Sequence, residues 1–225
     1  RVKCIYGPVG PNGKKQALYT FKYADKKTNV FDALGNRVQY TYNDKYRLTH
    51  IHRYQGRDQL LNIEQFTWGK NNGLDATLLK ARTLFDPEKQ PIHSRQFIYD
   101  CKGNPIEERY FGTITGTCEK LKINAGLPVA GSGDCGITKR KYSSDNRNLL
   151  TQEILPNGST VEMSYHPGTD VIKSRIHKQG NQILKREFFF YDASYRLIEE
   201  VVDDGNVLEY QQHAIGSYRI HTRYD

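Results

Sequence analysis

The chain has 225 residues, 37% of them hydrophobic and 26% charged, with a formal net charge of +8. No apolar run approaches the roughly 18 residues of a helical membrane span; the longest is Phe188-Phe189-Phe190-Tyr191. The length allows one sizeable core or one segment of a repeat array. The 16 Tyr and 9 Phe, against a single Trp and a single Met, suit strands, because a Tyr ring covers a pleated surface while its hydroxyl stays wet at the rim.

Taken in chain order, strands are expected nearly throughout. The first turn of a recurring kind is Phe31-Asp32-Ala33-Leu34-Gly35-Asn36-Arg37. Gln39-Tyr40-Thr41-Tyr42 then alternates with period two into a second copy, Tyr42-Asn43-Asp44-Lys45-Tyr46-Arg47-Leu48. Within 54–73, Phe66-Thr67-Trp68-Gly69 puts Trp68 in the aromatic place. Residues 78–84 have helix-favouring composition. Leu79, Ala81, Thr83 and Phe85 nevertheless alternate with Leu78, Lys80, Arg82 and Leu84, and the segment runs into Phe85-Asp86-Pro87, so a strand is expected there. Tyr99-Asp100-Cys101-Lys102-Gly103-Asn104 is a full copy of the turn. Residues 112–136, with six glycines, read as a long inserted surface loop of the kind that is often functional or mobile. Looser copies follow at Tyr142-Ser143 and Tyr165-His166, on either side of the alternating strand Thr160-Val161-Glu162-Met163-Ser164-Tyr165. Another full copy is Tyr191-Asp192-Ala193-Ser194-Tyr195-Arg196-Leu197, and the chain closes on Tyr224-Asp225. Asn157-Gly158, Gly180-Asn181 and Asp204-Gly205 carry the residues that short hairpin turns need.

An internal repeat of this kind decides the fold class. In each copy the aromatic (Phe31, Tyr42, Tyr99, Tyr191) closes a strand. The acid (Asp32, Asp44, Asp100, Asp192) accepts backbone amides in the turn, and Gly35-Asn36 or Gly103-Asn104 supplies a left-handed position. The residues after the turn, Arg47-Leu48 and Arg196-Leu197, start the returning strand. The expected architecture is all-β, a run of consecutive antiparallel hairpins whose aromatic rings stack along the sheet at roughly 0.2–1 kcal/mol per cross-strand pair.

The strings Phe97-Ile98-Tyr99-Asp100-Cys101-Lys102-Gly103-Asn104-Pro105-Ile106, Phe189-Phe190-Tyr191-Asp192-Ala193-Ser194-Tyr195-Arg196-Leu197 and Phe31-Asp32-Ala33-Leu34-Gly35-Asn36-Arg37 resemble the YD repeats of the RHS family, and the resemblance runs through most of the chain. It implies a curved, coiling β-sheet, a segment of a hollow shell such as those of bacterial polymorphic toxins, insecticidal toxin complexes and the related teneurins. It further implies a non-catalytic structural module of a secreted or cell-surface protein. Its partners would be the remaining repeats of the parent chain and an enclosed toxin or effector domain, or, for an adhesion module, a surface glycan or protein receptor. Residues 1–225 read as a single array. A start at Arg1 without methionine and a stop within a Tyr-Asp copy lead to the expectation of a larger parent. The self-cleaving aspartate segment of bacterial members has no counterpart here, so no proteolytic residues carry over.

Other chemistries find little support. Cys4, Cys101, Cys118 and Cys135 lack zinc-site spacing; Cys118 and Cys135 bracket a loop, and both a disulfide between them and free thiols stand as readings. Glu107-Glu108, Glu199-Glu200 and Asp203-Asp204 are adjacent, so on a strand they face opposite ways and cannot flank one bond; solvated side chains are expected. His50 and His52 share a face without a third ligand. Ser143 and Ser144 lack a nucleophile-elbow context, and phosphate-loop and dinucleotide fingerprints are absent, so no cofactor is expected. Thr138-Lys139-Arg140-Lys141-Tyr142 is a basic patch, but Lys and Arg are scattered over nearly every strand, which argues against nucleic acid. A carbohydrate-active β enzyme is the distant alternative to a wall or a binding module.

Overall fold

The computed structural model of the chain describes residues 1–9, 12–70, 73–116, 120–213 and 216–224. Among them the regular elements are antiparallel strands and one 3-10 turn, Asp75–Thr77. The chain divides into two compact units, residues 1–97 with 109–136 and residues 98–108 with 137–225.

In the first unit, β1 (Cys4–Val9), β2 (Lys15–Ala24), β3 (Lys27–Asp32), β4 (Arg37–Tyr42), β5 (Leu48–Gln55), β6 (Gln59–Trp68), β7 (Leu79–Phe85) and β8 (Pro91–Tyr99) each pair with the next. Next in the chain come β9 (Pro105–Gly112) and a small hairpin of β10 (Ile123–Asn124) and β11 (Leu127–Pro128). The second ladder is β12 (Asp134–Tyr142), β13 (Leu150–Ile154), β14 (Ser159–Tyr165), β15 (Ile172–Gln179), β16 (Gln182–Tyr191), β17 (Leu197–Asp203) and β18 (Arg219–Arg223), again each strand on the next. Strand order follows chain order without a crossover. Such a pattern needs only local hairpins, as the sequence periodicity implied.

The period-two pattern outweighs helix propensity at β7, because the face carrying Ala81 and Thr83 is buried and the Thr83 hydroxyl meets that of Ser94 at 2.7 Å. The glycine-rich residues 112–136 hold β10, β11 and the start of β12. Gly133 lies so close to β9 that a Cβ there would stand 3.2 Å from the Gly112 carbonyl oxygen. Asp204-Gly205 is not the tight hairpin its residues suggest. β17 and β18 are joined by residues 204–218, because the Asp204 carboxylate accepts the amides of Ser217 (2.8 Å) and Tyr218 (3.2 Å) at the far end of the segment. Gly205 N–H meanwhile donates to Asp203 Oδ1 at 3.1 Å. In the second unit, Ile176, Phe188 and Val201 form a buried cluster flanked by Ile183, Phe190 and Tyr210. Burying each of the three aliphatic or aromatic side chains contributes about 1.5–3 kcal/mol. Tyr210, from the 204–218 connection, meets Phe188 and Phe190 edge-on, with centroids 5.4 and 4.9 Å away.

Candidate functional site

The recurring turns share one hydrogen-bonding scheme. At 32–36, Asp32 N–H donates to the Asn36 carbonyl (3.0 Å) and Gly35 N–H to the Asp32 carbonyl (3.1 Å). Asp32 Oδ1 accepts the amides of Leu34 (2.9 Å) and Asn36 (2.8 Å), while Oδ2 accepts Asn36 Nδ2 (2.9 Å). The 100–104 turn repeats this atom for atom: Asp100 Oδ1 takes Lys102 and Asn104 amides and Oδ2 takes Asn104 Nδ2, each at 2.9 Å. At 192–196 the Oδ2 partner is Arg196 Nε, at 2.8 Å. The fourth residue is left-handed in each, with φ of 85° at Gly35, 89° at Gly103 and 59° at Tyr195. Bonding to the charged form holds these carboxyls below the usual range, through the Asn36 side chain at Asp32, the Asn104 side chain at Asp100 and the Arg196 amide at Asp192.

At the second copy the structure shifts the register by one. Asn43, not Asp44, occupies the acid's place, with Oδ1 accepting Lys45 N–H (3.0 Å) and Arg47 N–H (2.9 Å). Asp44 lies one residue further on and pairs with Lys26 of the neighbouring β2–β3 turn. An amide oxygen serves as well as a carboxylate for two backbone donors, so Asn meets the requirement. At 155–159 the same backbone scheme forms with Leu155 in the acid's place, Gly158 being left-handed at φ 81°. The left-handed fourth residue therefore sets the turn, and the acid reinforces it.

A second device links the aromatic of one copy to the turn before it. Trp68 Nε1 donates to the Leu48 carbonyl (2.7 Å), Tyr165 OH to that of Leu150 (2.8 Å), and Tyr142 OH to that of Pro105 (3.2 Å). In every case the acceptor is the residue that begins the returning strand. The strands that begin at Leu48 and Leu150 enter with a bulge: Tyr42 pairs with Leu48 but Thr41 with His50, and Tyr142 with Leu150 but Lys141 with Gln152. The extra residues are Thr49 and Thr151, whose hydroxyls donate to the carbonyls of Thr41 and Lys141, both at 3.1 Å. The guanidinium of Arg47 also stands over the Trp68 ring, 5.7 Å from its centre. Leu197 pairs with Tyr191 across the same kind of shift, and Tyr191 receives His166 edge-on at 5.8 Å. Burial pushes the hydroxyls of Tyr99 and Tyr191 up from their ordinary value, and Phe31 lies beneath Lys22 Nζ at 5.3 Å.

Charged side chains are not uniformly solvated. Arg186 and Asp203 are wholly buried and joined Nε to Oδ1 at 2.6 Å, while Arg219 donates to Asp203 Oδ2 at 2.8 and 3.0 Å. Arg186 also donates to the carbonyl of Val207 (2.6 Å) in the covering segment. Burial pushes the Asp203 carboxyl up, but the two arginines outweigh it and hold it below the usual range. The buried Glu64 is flanked by Arg53 (3.0 Å) and Arg82, and the buried Glu187 by Arg175 (3.0 Å), Lys185 (2.6 Å) and His177 (3.4 Å). Arg140 reaches Glu108 at 3.3 Å and Glu153 at 2.9 Å.

The adjacent carboxylates expected in solvent are thus engaged. Glu108 holds Arg140, Glu199 Oε1 accepts from His221 Nδ1 at 2.7 Å, Glu200 accepts Tyr224 OH at 3.1 Å, and Asp203 is buried. The basic patch is split by the strand, leaving Lys139 and Lys141 exposed and Arg140 in its ion pairs. His50 and His52 do share a face, with ring centres 5.8 Å apart. Burial depresses both pKa values, and no cluster of three metal-ligating side chains occurs among the described residues. Cys135 is exposed; its suggested partner Cys118 lies outside the described residues. Ser143 is a turn residue, its hydroxyl accepting Leu149 N–H at 3.0 Å. No helix among the described residues is long and apolar enough to cross a membrane. In the first unit Ile5, Tyr19, Tyr23, Tyr40 and Tyr42 line a shallow groove of about 500 Å³.

No family model matches the chain, and no curated protein does. Among solved structures, the chain is similar to TcdB2-TccC3 without its hypervariable C-terminal region, at 10% identity over 84% of this chain and 10% of that one, with a TM-score of 0.46. TcdB2-TccC3-TEV is similar at 13% identity over 82% and 12%, with a TM-score of 0.28. A porin-like protein from Bacteroides uniformis is similar at 15% identity over 70% and 74%, with a TM-score of 0.32. The chain spans about a tenth of the length of the two toxin-complex chains. At such TM-scores these likenesses add nothing to the strand pairing described above.

Proposed function

We propose that the chain is a structural wall: a single array of YD-type hairpins, part of a secreted or surface protein whose shell encloses or presents a toxin or effector domain, with no chemistry of its own. The observation that carries this reading is the pair of linked devices, the left-handed acid turn and the aromatic donor that reaches back to the previous return residue. At Trp68, Tyr142 and Tyr165 the aromatic satisfies a backbone carbonyl of the copy before it, so the unit is extendable and linked copies stabilise one another. Asp32, Asp100 and Asp192 and the hydroxyls of Tyr142 and Tyr165, which a count would offer as acid–base candidates, are occupied in this scheme. Its partners are then further repeats and the cargo. The test is protease protection in the parent protein. The effector domain should resist digestion while the array is intact and become cleavable when Gly103→Val and Gly158→Val break two turns. An effector equally cleavable in both would sink the reading.

A second reading, a glycan- or receptor-binding module, is favoured by the groove formed by Ile5, Tyr19, Tyr23, Tyr40 and Tyr42, since Tyr19 and Tyr23 remain 46% and 38% exposed and aromatic faces of this kind suit sugar or protein contacts. Binding on a glycan array that disappears in Tyr19→Ala would support it, and binding indifferent to that change would not.

A further inference from the structure

We propose that Asn157 is an acceptor for an N-linked glycan. Asn157-Gly158-Ser159 is the one Asn-x-Ser/Thr stretch in the 225 residues, and three matching residues are by themselves a weak signal that needs a surface loop to support it. The structure places them at the tip of the β13–β14 hairpin, with Pro156, Asn157 and Gly158 exposed. The side-chain geometry adds to this. Asn157 Oδ1 accepts both the Ser159 amide (3.0 Å) and the Ser159 hydroxyl (2.7 Å). The carboxamide is thereby pinned with its oxygen turned into the hairpin, which turns Nδ2 away from it, and Nδ2 has no partner among the described residues. The hydroxyl that the motif demands is therefore already engaged with the acceptor side chain. At Asn43, by contrast, Oδ1 is held by two backbone amides and Lys45 stands where Ser159 does here. Space is available as well: a Cβ added at Gly158 would meet only Gln179 Nε2, at 3.8 Å.

The reaction joins Asn157 Nδ2 to the anomeric carbon of a sugar carried on a lipid-linked pyrophosphate. The carbon–oxygen bond to pyrophosphate breaks, the lipid pyrophosphate leaves with the bonding pair, and one Nδ2 proton passes to a base of the transferase. Ser159 is a positioning residue in this step. The inference rests on the secreted or surface part of the proposed function but not on the chain being a wall, because it concerns one hairpin tip and its chemistry.

The test is translation of the full chain behind a cleavable secretion signal into microsomes, which supply both the donor and the transferase. One retarded band is expected, removed by peptide N-glycosidase, absent in Asn157→Gln and Ser159→Ala, and retained in Ser159→Thr, which keeps the hydroxyl. Protease protection identifies the translocated chains. Translocated chains without the retarded band would overturn the proposal, as would a band that persists in Asn157→Gln.

Discussion

Asp203→Ala removes the carboxylate that joins Arg186 to Arg219 and leaves Arg186, whose side chain has no exposure, as a buried cation with its Nε unpaired. Breaking a buried pair from one side costs about 3–5 kcal/mol. Arg186→Met should also destabilise, since it leaves Asp203 to Arg219 alone and removes the donor to the Val207 carbonyl that fastens this part of the β17–β18 connection beside Phe188. The double variant Arg186→Met/Asp203→Ala buries neither charge of the pair, and it leaves Arg219 without its carboxylate just as Asp203→Ala alone does. It should therefore fall short of the sum of the single losses by about 2–3 kcal/mol, near the upper end of couplings between residues in contact. Urea titration, read by hydrogen exchange in peptides of β16 and β17, measures the three variants in the unit concerned. Losses that simply add would refute the reasoning, because they would mean that each side chain acts through packing alone.

Three further outcomes are expected. Tyr165→Phe and Trp68→Phe each remove one donor to a return-residue carbonyl and should lower stability by about 0.5–1.5 kcal/mol, read as earlier exchange of the Leu150 and Leu48 turns; unchanged exchange would dismiss the linking device. Tyr195→Gly relieves a left-handed non-glycine residue at φ 59° and should raise the denaturation midpoint by the equivalent of about 1 kcal/mol, a gain that a lowered midpoint would contradict. The Asp100 carboxyl is held below its unfolded value by the Asn104 side chain. Its contribution is therefore complete above the unfolded pKa of about 3.9 and lost as pH falls through the folded one. Acid should release exchange at Lys102 and Asn104, and Asp100→Asn should make that release independent of pH.

Local features were the ones legible in the sequence. The acid turns at Asp32, Asp100 and Asp192 could be read because every bond involved lies within five residues. The shift from Asp44 to Asn43 escaped notice because both residues can cap a turn, and only the left-handed fourth residue, Tyr46, fixes the count. The bulge threonines had a signal, Leu-Thr directly after the turn at both Leu48-Thr49 and Leu150-Thr151, that gains meaning only with the register shift. Arg186 had none. It shares its strand face with Phe188 and Phe190, but Phe189 on the opposite face blurs the alternation there, and its burial depends on the stretch holding Val207 and Glu209 meeting β16, a contact between segments some 20 residues apart. Asp204-Gly205 misled for the same reason, since a strong local turn signal was overridden by the pairing of Asp204 with Ser217.

Electron cryo-microscopy of the protein at its full natural length tests the central claim most directly. Among the described residues β1 is hydrogen-bonded only to β2 and β18 only to β17. A wall segment requires both outer edges to be continued by strands of further repeats around an enclosed volume. Strands of the same chain paired to β1 and β18 are the expected result. Edges left bare, or closed on each other around a solid core, would contradict it.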